Sequence, residues 1–292
     1  MTAISEVSRP RRKRADGWRW AGRIILFLMI IYTAAPMVWM FLTSLKSGFA
    51  AMQFPPQWWP KEPTLEHYAK LLDPSESIGA DFIRYFGNSV FVSVTTTLAA
   101  VAVAVPAAYA FSRFNFPGRT FLFFSVLLRN MFPAVIFLVP LFILMRLLGL
   151  VNTHASLILT YLTFGLPLAI WLLRGFYDNI PIQLEQAARI DGATRFQAFL
   201  LVVMPLSAPG IIATAIYSFI GAWNEYIYAY TFLSRHDQMT LPVGLQRFFA
   251  ENTTDWPGLM AASFMMSVPV VVMFLVLQRY FVRALTEGAV KH

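Results

Sequence analysis

The sequence predicts an all-α integral membrane protein, with six transmembrane helices and a polar coupling helix between two of them. Three observations carry this. Of 292 residues, 58% are hydrophobic and only 13% charged, whereas soluble domains carry about 25% charged residues. Six apolar runs are each long enough for the hydrocarbon layer, which takes about 20 residues. One polar, helix-forming stretch, Leu184 to Ala193, lies between two of those runs. A spanning backbone must satisfy its own hydrogen bonds, which helices do within one segment. The runs are continuously apolar rather than alternating, which disfavours a closed barrel.

Taken in order, the spans fall at about 21–43, 87–111, 120–147, 154–174, 206–230 and 260–281. Residues 1–20 form a basic tail, and 21–86 the first span with its outer loop. Residues 87–281 form a five-helix core containing the coupling loop 178–205, and 282–292 a second tail. Pro36, Pro106, Pro133, Pro140, Pro167 and Pro269 interrupt the spans. Each removes a backbone donor and can kink its helix, and kinks at Pro133 and Pro140 could shape a central pathway.

Charge sets the expected orientation. If the N-terminal end is cytoplasmic, 15 of the Lys and Arg residues lie inside and 7 outside. The positive-inside rule favours that arrangement, with both termini cytoplasmic. The apolar run from Ile24 to Leu42 exceeds the core of a signal peptide and lacks a small-x-small site after it, so it reads as a retained span. The net charge of +8 is distributed as membrane flanks rather than as a nucleic-acid patch, and no nucleic-acid partner is expected. With no cysteine, disulfides and thiolate metal sites are excluded.

Two outer loops are substantial. Residues 44–86 contain Pro55-Pro56-Gln57-Trp58-Trp59-Pro60, whose tryptophans could settle at the lipid headgroups or anchor a partner. Residues 231–259 contain Leu241, Pro242, Val243, Gly244 and Leu245. That loop is too polar to span and too apolar for a tether.

The coupling loop reads in detail. Asn179 is placed to cap a helix with Pro181 near its first turn. Glu185 and Arg189 stand four apart in the acid-first order. Ala187, Ala188 and Ala193 leave little side-chain bulk, so a partner can approach the backbone. Gly192, after Asp191, is placed to end the helix in a left-handed conformation. Thr194 and Gln197 have capping-box spacing for a second helix that leads through Pro205 into the fifth span.

On these residues the chain resembles the permease subunits of ABC importers, in the carbohydrate-uptake branch. Their loop motif reads here as Gln186-Ala187-Ala188, Gly192, then Val202-Val203-Met204-Pro205. Further matching stretches are Asn179-Ile180-Pro181, Gly149 to Thr153, Ala222-Trp223-Asn224-Glu225-Tyr226 and Thr240 to Leu245. The resemblance implies a bacterial inner-membrane subunit that pairs with a second homologous permease, two ATPase subunits and an external solute-binding protein. It implies that Glu185, Gln186, Ala187, Ala188, Asp191 and Gly192 couple to the ATPases and that the 241–245 loop reaches toward the binding protein. ATP and Mg would reside on the partner ATPase, with no cofactor or metal on this chain. The absence of a Gly-x-x-x-x-Gly-Lys-Ser/Thr loop agrees with that division of labour. One position departs: Gln186 stands where the motif usually has Glu, which removes a docking charge that Glu185 could replace from about 100° around the helix.

Candidate pathway residues are fewer. Arg129 and Asn130 sit about 10 residues, hence about 15 Å, inside the third span. An intramembrane arginine is costly and faces a cavity or a partner unless it snorkels to the headgroups. Asn224 and Glu225, near the outer end of the fifth span, could gate the pathway or serve as structural hydrogen-bonding groups. The rival reading is an ion-coupled secondary transporter, which would need repeats around a midplane site; no clear duplication is visible. A membrane enzyme is disfavoured because His67, His154, His236 and His292 are scattered.

Overall fold

The computed structural model describes residues 14–249 and 254–289. Expectations that fall on residues 1–13, 250–253 and 290–292 lie outside the described residues. All regular structure among the described residues is helical. The first span is α1 (Arg14–Ser44), and the short helices α2 (Gly48–Ala51) and α3 (Glu66–Leu72) sit in the loop after it. The second span is α4 (Ser77–Arg113), and the third is broken into α5 (Arg119–Leu128) and α6 (Leu138–Leu147). The fourth is α7 (His154–Asn179), followed by α8 (Ile182–Ile190) and α9 (Arg195–Ala198). Then α10 (Met204–Leu206) leads into α11 (Ala208–Trp223), the fifth span. Finally α12 (Ile227–Phe232) and α13 (Leu241–Gly244) precede the sixth span, α14 (Trp256–Ala289). Four helices qualify as whole spans by length and apolarity, and two bent pairs bring the number to six.

Several expected boundaries move. α4 starts at Ser77, ten residues before 87, and so takes in part of the expected outer loop. α1 begins at Arg14, inside the expected tail, and α14 continues to Ala289 rather than ending at 281. The fifth span stops at Trp223, short of 230, because the chain turns before α12.

Two spans are sharply bent rather than kinked. The third turns by 100° between Met131 and Ala134. A residue before proline is pushed out of the α region, and Phe132, before Pro133, has φ −92° and ψ 133°. Pro140 lies in the first turn of α6, where its missing donor breaks no helical bond, so it makes no kink. The other bend, 72° between Leu206 and Ala208, follows a π-helical turn at Phe199–Val203. Pro205 just beyond it has no N–H to donate, the kind of local fault that widens a helix.

The core is assembled on α4 and α7, with α11 packed against both; α1 packs on α14. Its apolar groups form three clusters along the bundle. One, at the end that carries α8, joins Tyr109, Phe123, Leu173, Tyr177, Phe199 and Val203. A middle cluster joins Val92, Leu157, Tyr161, Tyr228 and Phe232. At the opposite end Tyr85, Trp223, Leu241 and Phe248 close a third. Residues 22–38 of α1 face outward, whereas Thr43 and Ser44 at its end are buried; Trp58 and Trp59 are exposed, Trp58 lying edge-on to Trp39 of α1.

Candidate functional site

Two places gather the residues singled out by sequence. The first is the coupling loop. Asn179 does not cap α8; it is the last residue of α7, and Pro181 takes the cap position. Proline fixes φ near the helical value without needing a donor, which suits a helix start. Gly192 does adopt the left-handed conformation, φ +94°. The amide of Ala193 then returns to Ala188 O at 3.0 Å. The capping box forms as spaced: Thr194 Oγ1 accepts from the Gln197 amide at 3.2 Å, and Gln197 Oε1 from the Thr194 amide at 2.8 Å.

Glu185 is the correction. It neither pairs with Arg189 nor stands on the surface as a replacement charge for Gln186. It is 6% exposed. Its Oε1 accepts from Arg113 Nε at 2.5 Å and its Oε2 from the Tyr109 hydroxyl at 2.7 Å. Arg113 also donates to Ile180 O at 2.7 Å, just ahead of α8. The last turn of α4 thus grips α8 at both its entry and its first turn. Charge-assisted bonds of this kind are roughly twice as strong as neutral ones.

The consequence is an inverted helix. Glu185 is the single buried residue of α8. Gln186, Ala187, Asp191 and Gly192 are exposed, and Ala188 is half-buried. Ile182, Leu184 and Ile190 are also exposed, Ile190 at 85%, with Phe196 beside them at 67%. An ordinary surface helix buries its apolar stripe and solvates its charges. Apolar side chains gathered on an outward face mark a surface for a partner. Sequence reading missed Ile190 and Phe196, although apolar residues in a polar loop were a visible signal.

The second place is a cavity of about 260 Å³ at the break in the third span. It brings together Arg129, Asn130 and Glu225, contributed by the α5–α6 break and the α11–α12 turn. Arg129 lies in a 3-10 turn; its Nη1 donates to Asn130 Oδ1 at 2.7 Å and to Phe164 O at 3.3 Å. Its guanidinium carbon stands 3.5 Å from the centre of the Phe164 ring, within cation–π range. It does not snorkel outward. Glu225 accepts from the Tyr161 hydroxyl at 2.6 Å and from the amides of Tyr228 and Ala229 at 2.8 and 3.1 Å. The Tyr228 hydroxyl meets Ala134 O at 2.7 Å, beside the broken helix, as irregular backbone at membrane depth requires. Asn224 is not part of this site. It is exposed and bonds Ile220 O within its own helix.

The 241–245 loop folds in rather than reaching out. Leu241, Val243 and Gly244 are buried against the chain, and the Leu241 amide bonds Ser89 Oγ of α4 at 2.7 Å. Pro242 and Leu245 stay half-exposed. A Cβ at Gly244 would overlap the Tyr85 ring, so the close approach demands glycine.

A helical bundle with six spans, an outward-facing loop helix and an intramembrane cavity defines a multi-pass membrane permease. Residues 100–287 match the family model described as the binding-protein-dependent transport system inner membrane component, and the chain belongs to that family. It is 38% identical to the inner membrane ABC transporter permease protein YcjP of Escherichia coli K12, over 91% of this chain and 94% of that one. It is 36% identical to the trehalose transport system permease protein SugB of Mycobacterium tuberculosis, over 96% of this chain and 98% of that one. In fold it is similar to a chain of a bacterial ABC transporter involved in the import of the acidic polysaccharide alginate. That likeness has a TM-score of 0.78 at 23% identity and covers 94% of this chain and 100% of the other. The ion-coupled reading gives way to this family.

Proposed function

We propose that the chain is one permease subunit of an ATP-driven importer for a sugar or sugar derivative. It supplies half of the translocation pathway, and a second homologous permease supplies the other half. One of two ATPase subunits seats on α8 and the 186–196 surface, the other on the second permease, and an external binding protein delivers the solute at the opposite end. Both termini are then cytoplasmic, consistent with the distribution of Lys and Arg. The sugar class is supported by relatives such as the trehalose permease. The observation that carries the reading is the inverted helix α8, which keeps its acid inside and its apolar residues outside.

In this mechanism the chain hydrolyses nothing. Closure of the ATPases pushes on α8, and the Glu185–Arg113 pair transmits the push to the end of α4. Because α4 packs along α7 and α11, the displacement reaches the helices that wall the Arg129 cavity. The test is reconstitution in sealed vesicles. Uptake requires ATP on the ATPase side and binding protein on the other, and Ile190→Asp abolishes co-purification of the ATPase. Uphill solute movement by this chain alone would refute the proposal, and a thermal-shift screen of the binding protein with sugars identifies the solute.

A further inference from the structure

We propose that the cavity at the break of the third span is a recognition site for an anionic substituent on the transported sugar, a carboxylate, sulfonate or phosphate, read by Arg129. The inference rests on the importer reading above and adds a substrate class to it.

Ionisable side chains at membrane depth pair with one another or with backbone carbonyls. Among the described residues Arg129 takes part in no ion pair. Its hydrogen-bond partners, the Asn130 amide oxygen and Phe164 O, are neutral. Guanidinium carries five N–H donors in a planar fork. Only Nη1 is engaged, twice, and Nε is buried without a partner.

Glu225 lines the same cavity but does not neutralise Arg129. Three donors from Tyr161, Tyr228 and Ala229 already converge on it. Those bonds hold the ionised carboxylate at the start of α12, and it forms no ion pair with Arg129.

Polar groups complete the site. Thr96 and Ser218, 3% and 5% exposed, both line the cavity. Their hydroxyl oxygens are buried without partners. Buried polar groups in native proteins are otherwise nearly always bonded, so these two hydroxyls, set behind the cavity wall, are spare hydrogen-bonding groups that a rotamer change would bring to a polyhydroxyl ligand. The Phe164 ring holds the guanidinium from one side. The volume suits one ring, being below the roughly 300 Å³ at which pockets for drug-sized ligands begin.

A neutral sugar would leave the arginine's charge unmatched. A cationic group would be repelled at Arg129. A ring bearing an oxyanion answers that charge, since the arginine fork matches carboxylate and sulfonate oxygens in a bidentate way.

The test uses the assembled transporter in lipid nanodiscs, without nucleotide, and tritiated methyl β-D-glucuronide and methyl β-D-glucoside. These differ in a carboxylate against a hydroxymethyl group. The expected result is at least about tenfold tighter binding of the glucuronide, a difference of about 1.4 kcal/mol. In Arg129→Gln the ratio falls to within about twofold of one, and in Arg129→Lys a preference for the acid persists. The ratio does not depend on how much of a variant folds. Inorganic sulfate should displace the glucuronide only at more than about tenfold higher concentration; equal potency would overturn the sugar part of the proposal. A wild-type ratio near one, or a ratio unchanged in Arg129→Gln, would overturn the whole of it. The parent reading fails separately: it falls if the wild-type complex imports no sugar with ATP, whatever the binding ratio.

Discussion

Truncating Glu185 to alanine should release the coupling helix while leaving the spans intact. Both side chains of the Glu185–Arg113 pair are withdrawn from solvent, 9% and 11% exposed. Removing one partner of a buried pair costs about 3–5 kcal/mol, because the other charge stays buried and uncompensated. The Tyr109 hydroxyl loses its acceptor as well. With only nine residues, α8 is too short to persist alone, since isolated helices below about 12 residues are marginal in water. The penalty therefore falls on the docking of α8 rather than on the α4–α7 core. At the lower bound, 3 kcal/mol raises the open fraction by about a hundredfold. Hydrogen exchange on the assembled transporter should show residues 182–192 exchanging about a hundredfold faster, with the centre of α7 unchanged. Import should fall with it. The double variant Glu185→Met with Arg113→Met should recover most of the protection, because removing both charges is nearly neutral. The reasoning is refuted if Glu185→Ala leaves exchange in α8 within about threefold of wild type, or if the double variant is no better protected than the single.

Two further outcomes follow from backbone geometry. Gly192→Ala meets no neighbour, yet must hold φ +94°. That strain costs about 1–2 kcal/mol, which should appear as faster exchange at residues 188–194, and unchanged exchange there would count against it. Gly244→Ala overlaps the Tyr85 ring, which is 2% exposed and boxed in. Overpacking of this kind costs about 1–3 kcal/mol. The complex should melt at lower temperature, and an unchanged melting point would show that Tyr85 can move aside.

The spans were legible because hydropathy reports a property of each segment alone. Their bends were only half legible. Pro133 and Pro140 look alike in sequence, yet the first ends a helix and the second opens one. What separates them is the backbone of the preceding residue: Phe132 is extended and ends its helix, whereas Val139 is already helical within α6. The start of α4 at Ser77 was missed because Ser77, Asp81 and Arg84 dilute the apolar signal. Those residues are helical all the same, since Phe82 and Tyr85 enter the core beside Trp223 and Leu241.

The same distinction governs the sites. Gly192, Thr194 and Gln197 act through residues within three positions, and their roles were readable from spacing. Glu185 was not, because two local partners competed for it on paper: Arg189 four residues on, and a surface role in place of Gln186. The actual partner is 72 residues upstream in sequence. In sequence Arg113 is one more basic residue at the end of a span. Once the end of α4 is beside α8, the outcome is set by desolvation: a carboxylate entering that contact with no cation would be costly, so Arg113 must come with it. Arg129 is the converse case. Sequence alone flagged it as expensive, and the fold supplies a ring and two amide-type oxygens but, among the described residues, no ion pair. The unmatched charge at Arg129 and the matched charge at Glu185 therefore differ in kind: the matched one is a joint within the chain, and the unmatched one lines a cavity.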